Sequence, residues 1–537
     1  MRLSQVAGAG VTVIRQVLVL HRSRLIELHR PDRIVASRRA VSSLGPIAAG
    51  VILGARRHPD RTAIVDAHGA LTYGGLDQLS DALTDQWLAH GINGDSTVAV
   101  LCRDHRGLVS VMVAAGKLGA RLILMNTGFS AHQLADVAAR ENVSAVVCDD
   151  ELADIIARIP DDVIRLASTP SGERRAARGR RRRPRQQGGF VLLTGGTTGT
   201  PKGAPRTVGS PLAAAQFLDR VPLRRGQTML LCAPLFHGTA LSQFIVGLNL
   251  GDTIVLHGRF DAARAVAQIA THRCDVVVLV PTMLRRILDL GPAYLARYDT
   301  SSLHVVFSAG AALPVALGNA ATDLFGDCIY NFYGCTETAT ATIATPTDWA
   351  AAPGTVGKPP IGIKVRLFDD DGPVESPGAK GVVHVGNSIA FQGYSGGGSK
   401  SSRDGLMSTG DIGHWDEGGR LFIDGRDDDM IVSGGENVFP GEVEEVLYTH
   451  PAVAEAAVHG VADDEFGQRL VAVLVLVPGN ESPTAEDIRT FVKSRLARFK
   501  APRDVLFVEE LPRTVTGKID RRRIRALDTE QPVKEKD

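Results

Sequence analysis

FVLLTGGTTGTPKG, residues 190–203, is an apolar run that opens into a loop of threonine and glycine and closes on Pro201, Lys202 and Gly203. The run from Phe190 to Leu193 predicts a short buried strand, and the loop behind it predicts a cradle for a polyanion. Glycine lets backbone N–H groups come close to phosphate oxygens, while Thr194, Thr197, Thr198 and Thr200 add hydroxyls and Lys202 adds a point charge. The stretch is not an ordinary P-loop: G-x-x-x-x-G-K-[ST] needs glycine before the lysine, and this chain has Pro201 there. A plain surface loop is the competing reading, so residues elsewhere must decide.

With 537 residues the chain exceeds the roughly 250–300 at which single cores stop growing, and one large and one smaller domain are expected. The 60 Lys and Arg against 59 Asp and Glu leave a net charge of +1, which gives no reason to expect nucleic acid or an acidic partner. The 6 cysteines are scattered, form no C-x-x-C pair and sit mostly in apolar runs. Reduced thiols in a cytoplasmic protein follow, with neither a zinc site nor a disulfide framework.

The amino-terminal apolar run, residues 11–20, is broken by Arg15 and is too short to span a bilayer, and no cleavage site follows it. Neither a signal peptide nor a transmembrane anchor is expected. Ile14, Leu18, Leu25 and Leu28 fall on one helical face and Arg15, Arg22 and Arg24 elsewhere, the layout of a basic amphipathic extension over residues 1–45. Two uses are open for it: packing against the large domain, or weak contact with a membrane surface.

Short apolar strands are expected at 98–102, 145–148, 190–193, 229–232, 253–256, 276–280 and 304–307, with helical patterns between them. That alternation makes the large domain, residues 46–426, α/β with mainly parallel sheets. From Gly354 the texture changes. Segments 363–368, 382–385 and 421–423, separated by Asp, Gly and Pro clusters, read as an antiparallel β unit that closes the domain. Beyond GRDDDM at 425–430, a helix over 440–449 and a dense apolar strand over 470–477 predict a small α+β domain, residues 427–527, followed by a charged tail, 528–537. RRAARGRRRRPR, residues 174–185, places 8 arginines in 12 positions and cannot pack. It reads as a solvated linker, with phosphate steering or contact with an anionic surface as the alternative.

Four further segments stand out: PLFHG (234–238), YGCTET (333–338), STGD (408–411) and PRTVTGK (512–518). Taken in order with the opening loop and GRDDDM, they resemble the acyl-adenylate-forming superfamily, which comprises acyl-CoA synthetases, luciferases and the adenylation domains of peptide synthetases. The resemblance runs over about residues 56–523. VSGGENVFPGEVEE (432–445) is most similar to bacterial fatty-acid-CoA ligases. It implies a large domain of α/β sheets with a β subdomain, a small mobile carboxyl-terminal domain, and ATP, Mg²⁺ and CoA as reactants and cofactor.

The resemblance also implies a two-step reaction, in which a carboxylate attacks the α-phosphorus of ATP with release of pyrophosphate, and CoA thiol then displaces AMP. Charge grows on the phosphoryl group and the leaving pyrophosphate, so positioned donors and cations would supply most of the catalysis. Thr194, Gly196, Thr197, Thr198, Gly199 and Lys202 match the phosphate loop, Glu337 the Mg²⁺-organising acid, and Thr336 a phosphate contact beside it. Tyr333 offers a face for adenine and Asn331 an amide for its edge, while Gly310, in SAGAA (308–312), lets backbone approach the nucleotide. Asp411 matches the acid that holds both ribose hydroxyls, with Arg426 as a second contact. Lys518 would be the adenylation lysine, carried by the small domain, and Asp428 the hinge about which that domain turns. Gly434 and Gly435 would then face the pantetheine arm of CoA.

His237 matches an aromatic gate between the nucleotide and acyl sites, with a structural histidine as the competing reading. Acyl contacts are expected from Phe236, from VPTML (280–284) with Thr282, and around Gly334, a mostly apolar set that favours a fatty or other hydrophobic acid. Lys493, Arg495, Arg498, Lys500 and Arg503 read as a solvated basic face that could also meet CoA phosphates. One departure falls in the central motif. The superfamily's Thr-Ser-Gly is here Thr194-Gly195-Gly196, and a lost charge-assisted hydrogen bond costs roughly 1.5–3 kcal/mol. The combined expectation is an ATP- and Mg²⁺-dependent fatty-acid-CoA ligase. The alternatives are an acyl-AMP ligase that delivers to a carrier protein, and, on account of Gly195, a catalytically impaired acyl- or nucleotide-binding protein.

Overall fold

The structure, a computed structural model, describes residues 3–169, 184–194, 201–208, 210–389, 391, 393–395, 397–426, 430–477, 482–512 and 519–530. The β-branched apolar segments pair as pleated surfaces buried on both faces. Thr97–Leu101, Arg121–Leu124 and Phe190–Thr194 lie parallel and adjacent, and Ala145–Cys148 and Ile164–Leu166 extend the sheet on the other side of Thr97–Leu101. Lys202–Arg206 returns antiparallel to Phe190–Thr194, with Thr194 opposite Lys202. The intervening residues Gly195, Gly196, Thr197, Thr198 and Gly199 lie outside the described residues, as does all but the last two residues of the arginine run.

A second sheet has the order Ala339–Ala344, Ile329–Cys335, Val305–Ser308, Val276–Leu279, Thr228–Leu231, Thr253–Leu256, Thr62–Asp66, Gly69–Thr72. Its inner strands are parallel and its two outermost pairings antiparallel. Helices cover both sheets, and one apolar core draws Val98 and Leu122 from the first and Val276, Val305 and Ile254 from the second. The expected strand positions differ from these by a residue or two at their ends.

The predicted antiparallel unit forms around Leu406–Trp415, which pairs with Lys380–Gly386 and with Leu421–Arg426. The small domain is built on Val453–Asp463 and Gly467–Leu476, with Asp504–Phe507 parallel to the latter. Helices Pro440–Tyr448 and Ala485–Arg495 bury Val443, Leu447, Ile488 and Val492 against this sheet.

The amino-terminal extension departs from the single amphipathic face expected of it. Its first helix, Leu3–Arg22, ends before Leu25 and Leu28. Ile14, Leu18 and Leu28 are exposed, whereas Leu25 packs against the core. The second helix, Pro31–Arg57, breaks at Gly45, whose φ of 77° only glycine adopts without strain, and Pro46 restarts it with its preset φ and no N–H to satisfy. Leu20, Ala40, Val41 and Leu44 join the core shared by both sheets. The extension therefore packs against the large domain. Among the described residues no helix is long and apolar enough to cross a membrane. All 6 cysteines are unpaired, and Cys102, Cys232, Cys274 and Cys328 are buried.

Candidate active site

A cavity of about 1050 Å³ lies beyond the carboxyl ends of the parallel strands, where open α/β sheets receive ligands, and both domains line it. One wall is cut by strand register. Asp411 and Arg426 face each other across Leu406–Trp415 and Leu421–Arg426, and Arg426 Nη1 donates to Asp411 Oδ1 at 2.6 Å. Tyr333, on the strand Ile329–Cys335, donates its hydroxyl to Asp411 Oδ2 at 2.5 Å. Burial first, then the Asp411 carboxylate, hold the Tyr333 hydroxyl well above the usual tyrosine range, so it remains a donor. Each Asp411 oxygen has two lone pairs, so the carboxylate can still accept from a diol. Asn331 is 3% exposed and gives its Nδ2 to Thr355 O, leaving its carbonyl oxygen to the cavity. Gly310 lines the same wall at φ 88°. At Gly334 the pairing slips, and a Cβ there would collide with the Ala339 carbonyl.

The acid stands behind Thr336, which lines the cavity, while Glu337 and Lys202 themselves are not among the lining residues. Glu337 is 7% exposed and accepts from the Tyr394 hydroxyl at 2.6 Å. Lys202 Nζ stands 5.3 Å from the centroid of the Tyr394 ring, a cation–π distance. Thr336 lines the cavity next to Glu337. A single buried carboxylate, a hydroxyl and a nearby lysine suit Mg²⁺, which keeps several waters and takes its remaining ligands from phosphate oxygens.

Two residues around Glu337 escape a reading of the sequence. Tyr394 sits in a Gly- and Ser-rich run that reads as loop. Arg206 donates to the carbonyl oxygens of Thr336 and Ile389, and so ties the segment bearing Glu337 to the strand bearing Lys202. Burial depresses the Arg206 pKa, with Cys335 and Glu337 opposing. The available signal was a cation closing the strand that begins at Lys202.

The acyl side and the domain junction meet at His237. His237 precedes the helix Gly238–Leu250, and its Nε2 lies 3.0 Å from Glu436 Oε1 of the small domain; Asn126 Nδ2 donates to the same oxygen at 3.1 Å. Burial alone would lower the His237 pKa, but the Glu436 charge and hydrogen bond, with Asp104 behind, carry it above its ordinary value. Glu436 sits at the tip of a hairpin whose Gly434 and Gly435 have φ of 61° and 86°, the two-glycine turn that matches strand twist. A Cβ on Gly435 would lie 3.5 Å from Val280 of the large domain, so the hairpin tip enters the cavity mouth.

Some expectations need correction. Phe236 lies beside His237 with ring centroids 4.6 Å apart and ring planes tilted by 56°, but stays outside the cavity wall. Thr282 lies on the first turn of Pro281–Leu288 and is likewise outside it, because the turn presents Val280 and Met283 instead. Lys500 is not on a solvated face: it is fully buried and pairs with buried Glu442 at 2.5 Å. Lys518 and Asp428 lie outside the described residues, and only the backbone pairing of Thr194 is described.

The AMP-binding enzyme family matches residues 53–395, and the AMP-binding enzyme carboxyl-terminal domain matches residues 442–518; the chain belongs to the AMP-binding enzyme family. Within it, the chain is 32% identical over 475 residues to a 2-succinylbenzoate–CoA ligase of Bacillus cereus, covering 87% of this chain and 96% of that one. Solved structures of Bacillus subtilis o-succinylbenzoate CoA synthetase are also similar. A double mutant of it bound with a product analogue is 25% identical with a TM-score of 0.76, covering 89% of this chain and 98% of that one. Its complex with ATP and magnesium ion is 27% identical with a TM-score of 0.66, covering 89% and 99%. A Mycobacterium tuberculosis fatty acyl CoA synthetase is 27% identical with a TM-score of 0.64, covering 90% of this chain and 98% of that one.

Proposed function

We propose that this chain is an AMP-forming acid–thiol ligase that activates a hydrophobic monocarboxylic acid and passes the acyl group to CoA. A carboxylate oxygen attacks the α-phosphorus of ATP, the bond to pyrophosphate breaks, and the thiol sulfur, losing its proton, then attacks the acyl carbon as the acyl C–O bond breaks and AMP departs with that electron pair. Bound Mg²⁺ would neutralise phosphate charge, held through Glu337. Asp411 and Arg426 hold the ribose, Tyr333 and Asn331 flank the base, and Lys202 and Thr336 meet phosphate oxygens. Lys518, delivered by the small domain, reaches the carboxylate and the α-phosphate in the first step.

The observation that carries the reading is the entry of the Gly434–Gly435 hairpin into the cavity that Asp411 and Tyr333 line. Glycines there leave a narrow path for a pantetheine arm. The higher TM-score against the product-analogue complex than against the ATP complex supports reading this arrangement as the thiol-accepting one.

An apolar acid is supported by the cavity branch beyond His237, lined by Leu241, Ile245, Val246 and Phe217. Of the cations lining the cavity, Arg121 pairs with Glu141 at 2.8 Å, Arg426 with Asp411 at 2.6 Å and Lys500 with Glu442 at 2.5 Å, Arg206 is bound to backbone carbonyls, and Arg525 is exposed. The first four are committed within the protein, which disfavours the second carboxylate of 2-succinylbenzoate, the competing substrate named by the Bacillus relatives. Pyrophosphate release measured with decanoate, hexadecanoate and 2-succinylbenzoate separates the two. Turnover with 2-succinylbenzoate alone rejects the hydrophobic monocarboxylate.

The exposed residues Val11, Ile14 and Leu18, with exposed Arg15, Arg22 and Arg24, support weak contact of the first helix with an anionic lipid surface. Such a surface would also hold the hydrophobic acid.

A further inference from the structure

The cavity does not end at the elements that the family match covers. The match begins at residue 53, yet Leu25, Ser37, Val41 and Pro46 line the same cavity as His237 and Tyr333. Their position follows from the helix Gly238–Leu250. Gly238, Leu241, Ser242, Ile245, Val246 and Asn249 all face the cavity. Spaced by three and four residues, they form one stripe of that helix along its whole length.

At 1.5 Å per residue the stripe covers about 16 Å. An extended chain advances about 1.2 Å per bond, so the branch takes roughly a dozen bonds of an acyl chain. The far end of the stripe is closed by the extension: Asn249 Nδ2 donates to Pro46 O at 3.0 Å and to Ile245 O at 2.8 Å. Ser37 and Val41, one helical turn apart on the first half of Pro31–Arg57, stand on the same side of that helix. The break at Gly45 lets this half turn away from the second half, which packs on Gly238–Leu250 through Gly50; a Cβ at Gly50 would lie 3.1 Å from Leu248 and Asn249.

We propose that residues upstream of the family match, Val41 and Ser37 above all, form the distal wall of the acyl site and set the longest acyl chain the enzyme accepts. The proposal rests on the hydrophobic-acid reading and adds to it a chain-length ruler placed outside the shared catalytic architecture. Val41 is 3% exposed while lining the cavity, so a larger side chain there has only the cavity to grow into. Each methylene left unburied costs roughly fourfold in affinity.

The test compares wild type, Val41→Trp, Ser37→Trp and Val41→Ala in pyrophosphate release and in calorimetric binding across hexanoate, decanoate and hexadecanoate. Ser37 is half-buried, so Ser37→Trp reports on the wall even where the larger change at Val41 impairs folding. Both tryptophan variants are expected to lose hexadecanoate by about 100-fold while keeping hexanoate within about threefold, and Val41→Ala to shift the optimum toward longer chains. ATP affinity stays unchanged, because neither position touches the Asp411 wall. An active wild type with the same chain-length profile in all variants overturns the wall alone. A wild type inactive with every hydrophobic acid overturns the substrate reading on which it rests.

Discussion

His237 of the large domain and Glu436 of the small domain meet at 3.0 Å inside the cavity, and Asn126 holds the same Glu436 oxygen. This contact makes the docked arrangement of the two domains depend on pH. The His237 pKa is raised, so its share of the docking energy is fully present below the ordinary histidine value and is lost as pH rises through the raised one. The Glu436 pKa is lowered, although burial alone would raise it, because His237 favours the charged form. Its share is present above the ordinary glutamate value and is lost as pH falls through the lowered one. Docking is strongest in the window between the two.

Glu436→Gln is expected to slow acyl transfer from supplied acyl-adenylate to CoA by roughly tenfold at neutral pH, since a hydrogen bond to a charged group is worth about 1.5–3 kcal/mol. It should also flatten the alkaline limb of the pH profile of that step. Adenylation, followed as pyrophosphate release, should hardly change. A uniform loss with an unaltered profile would contradict the docking role.

Lys518→Ala separates the half-reactions the other way. Loss of one positioned cation at a developing phosphoryl charge is expected to lower adenylation by about 100- to 1000-fold, while transfer from supplied acyl-adenylate stays within about threefold. Equal loss in both would remove the basis for assigning Lys518 to the first step.

Lys500 and Glu442 are both fully buried and paired at 2.5 Å, and Glu442 also accepts from Phe439 N at 3.1 Å at the start of Pro440–Tyr448. Burial pushes the Glu442 pKa up even with Lys500 beside it. Lys500→Met leaves that carboxylate without its cation, and a denaturant titration should show the small domain destabilised by about 3–5 kcal/mol. Adding Glu442→Leu should recover most of it. A cost below about 1 kcal/mol for the single change would place the pair at the surface in solution.

Ile14→Glu with Leu18→Glu is expected to abolish co-sedimentation with phosphatidylserine-containing vesicles. Both positions are exposed, so stability should move by no more than about 0.5 kcal/mol. Truncation is a poor substitute, because Leu20, Ala40, Val41 and Leu44 are part of the main core. Vesicle binding by the double variant equal to that of wild type would reject the lipid contact.

The expected strands were legible as short apolar runs, whereas Thr62–Asp66, Arg121–Leu124 and Ile164–Leu166 were not among them; Asp411 and Tyr333, drawn from separate motifs, line one cavity. What escaped depends on contacts remote in sequence. Tyr394 reaches Glu337 from 57 positions away, and Arg206 reaches Thr336 from 130. Neither has a local pattern to betray it. Periodicity took Leu25 and Leu28 as continuing the first helix, whereas that helix ends at Arg22 and the next begins at Pro31. The Gly45–Pro46 pair was the readable sign of a break, since glycine tolerates the positive φ and proline restarts a helix. Phe236 and Thr282 were misplaced for a simpler reason: an apolar segment does not say which of its side chains faces the ligand.

The products formed by the purified chain from ATP, a hydrophobic monocarboxylic acid and CoA test the ligase assignment most directly: one acyl-CoA and one AMP are expected per pyrophosphate released, with no ADP. Acyl transfer only to a carrier protein, or ATP binding without pyrophosphate release from any hydrophobic acid, would contradict that assignment.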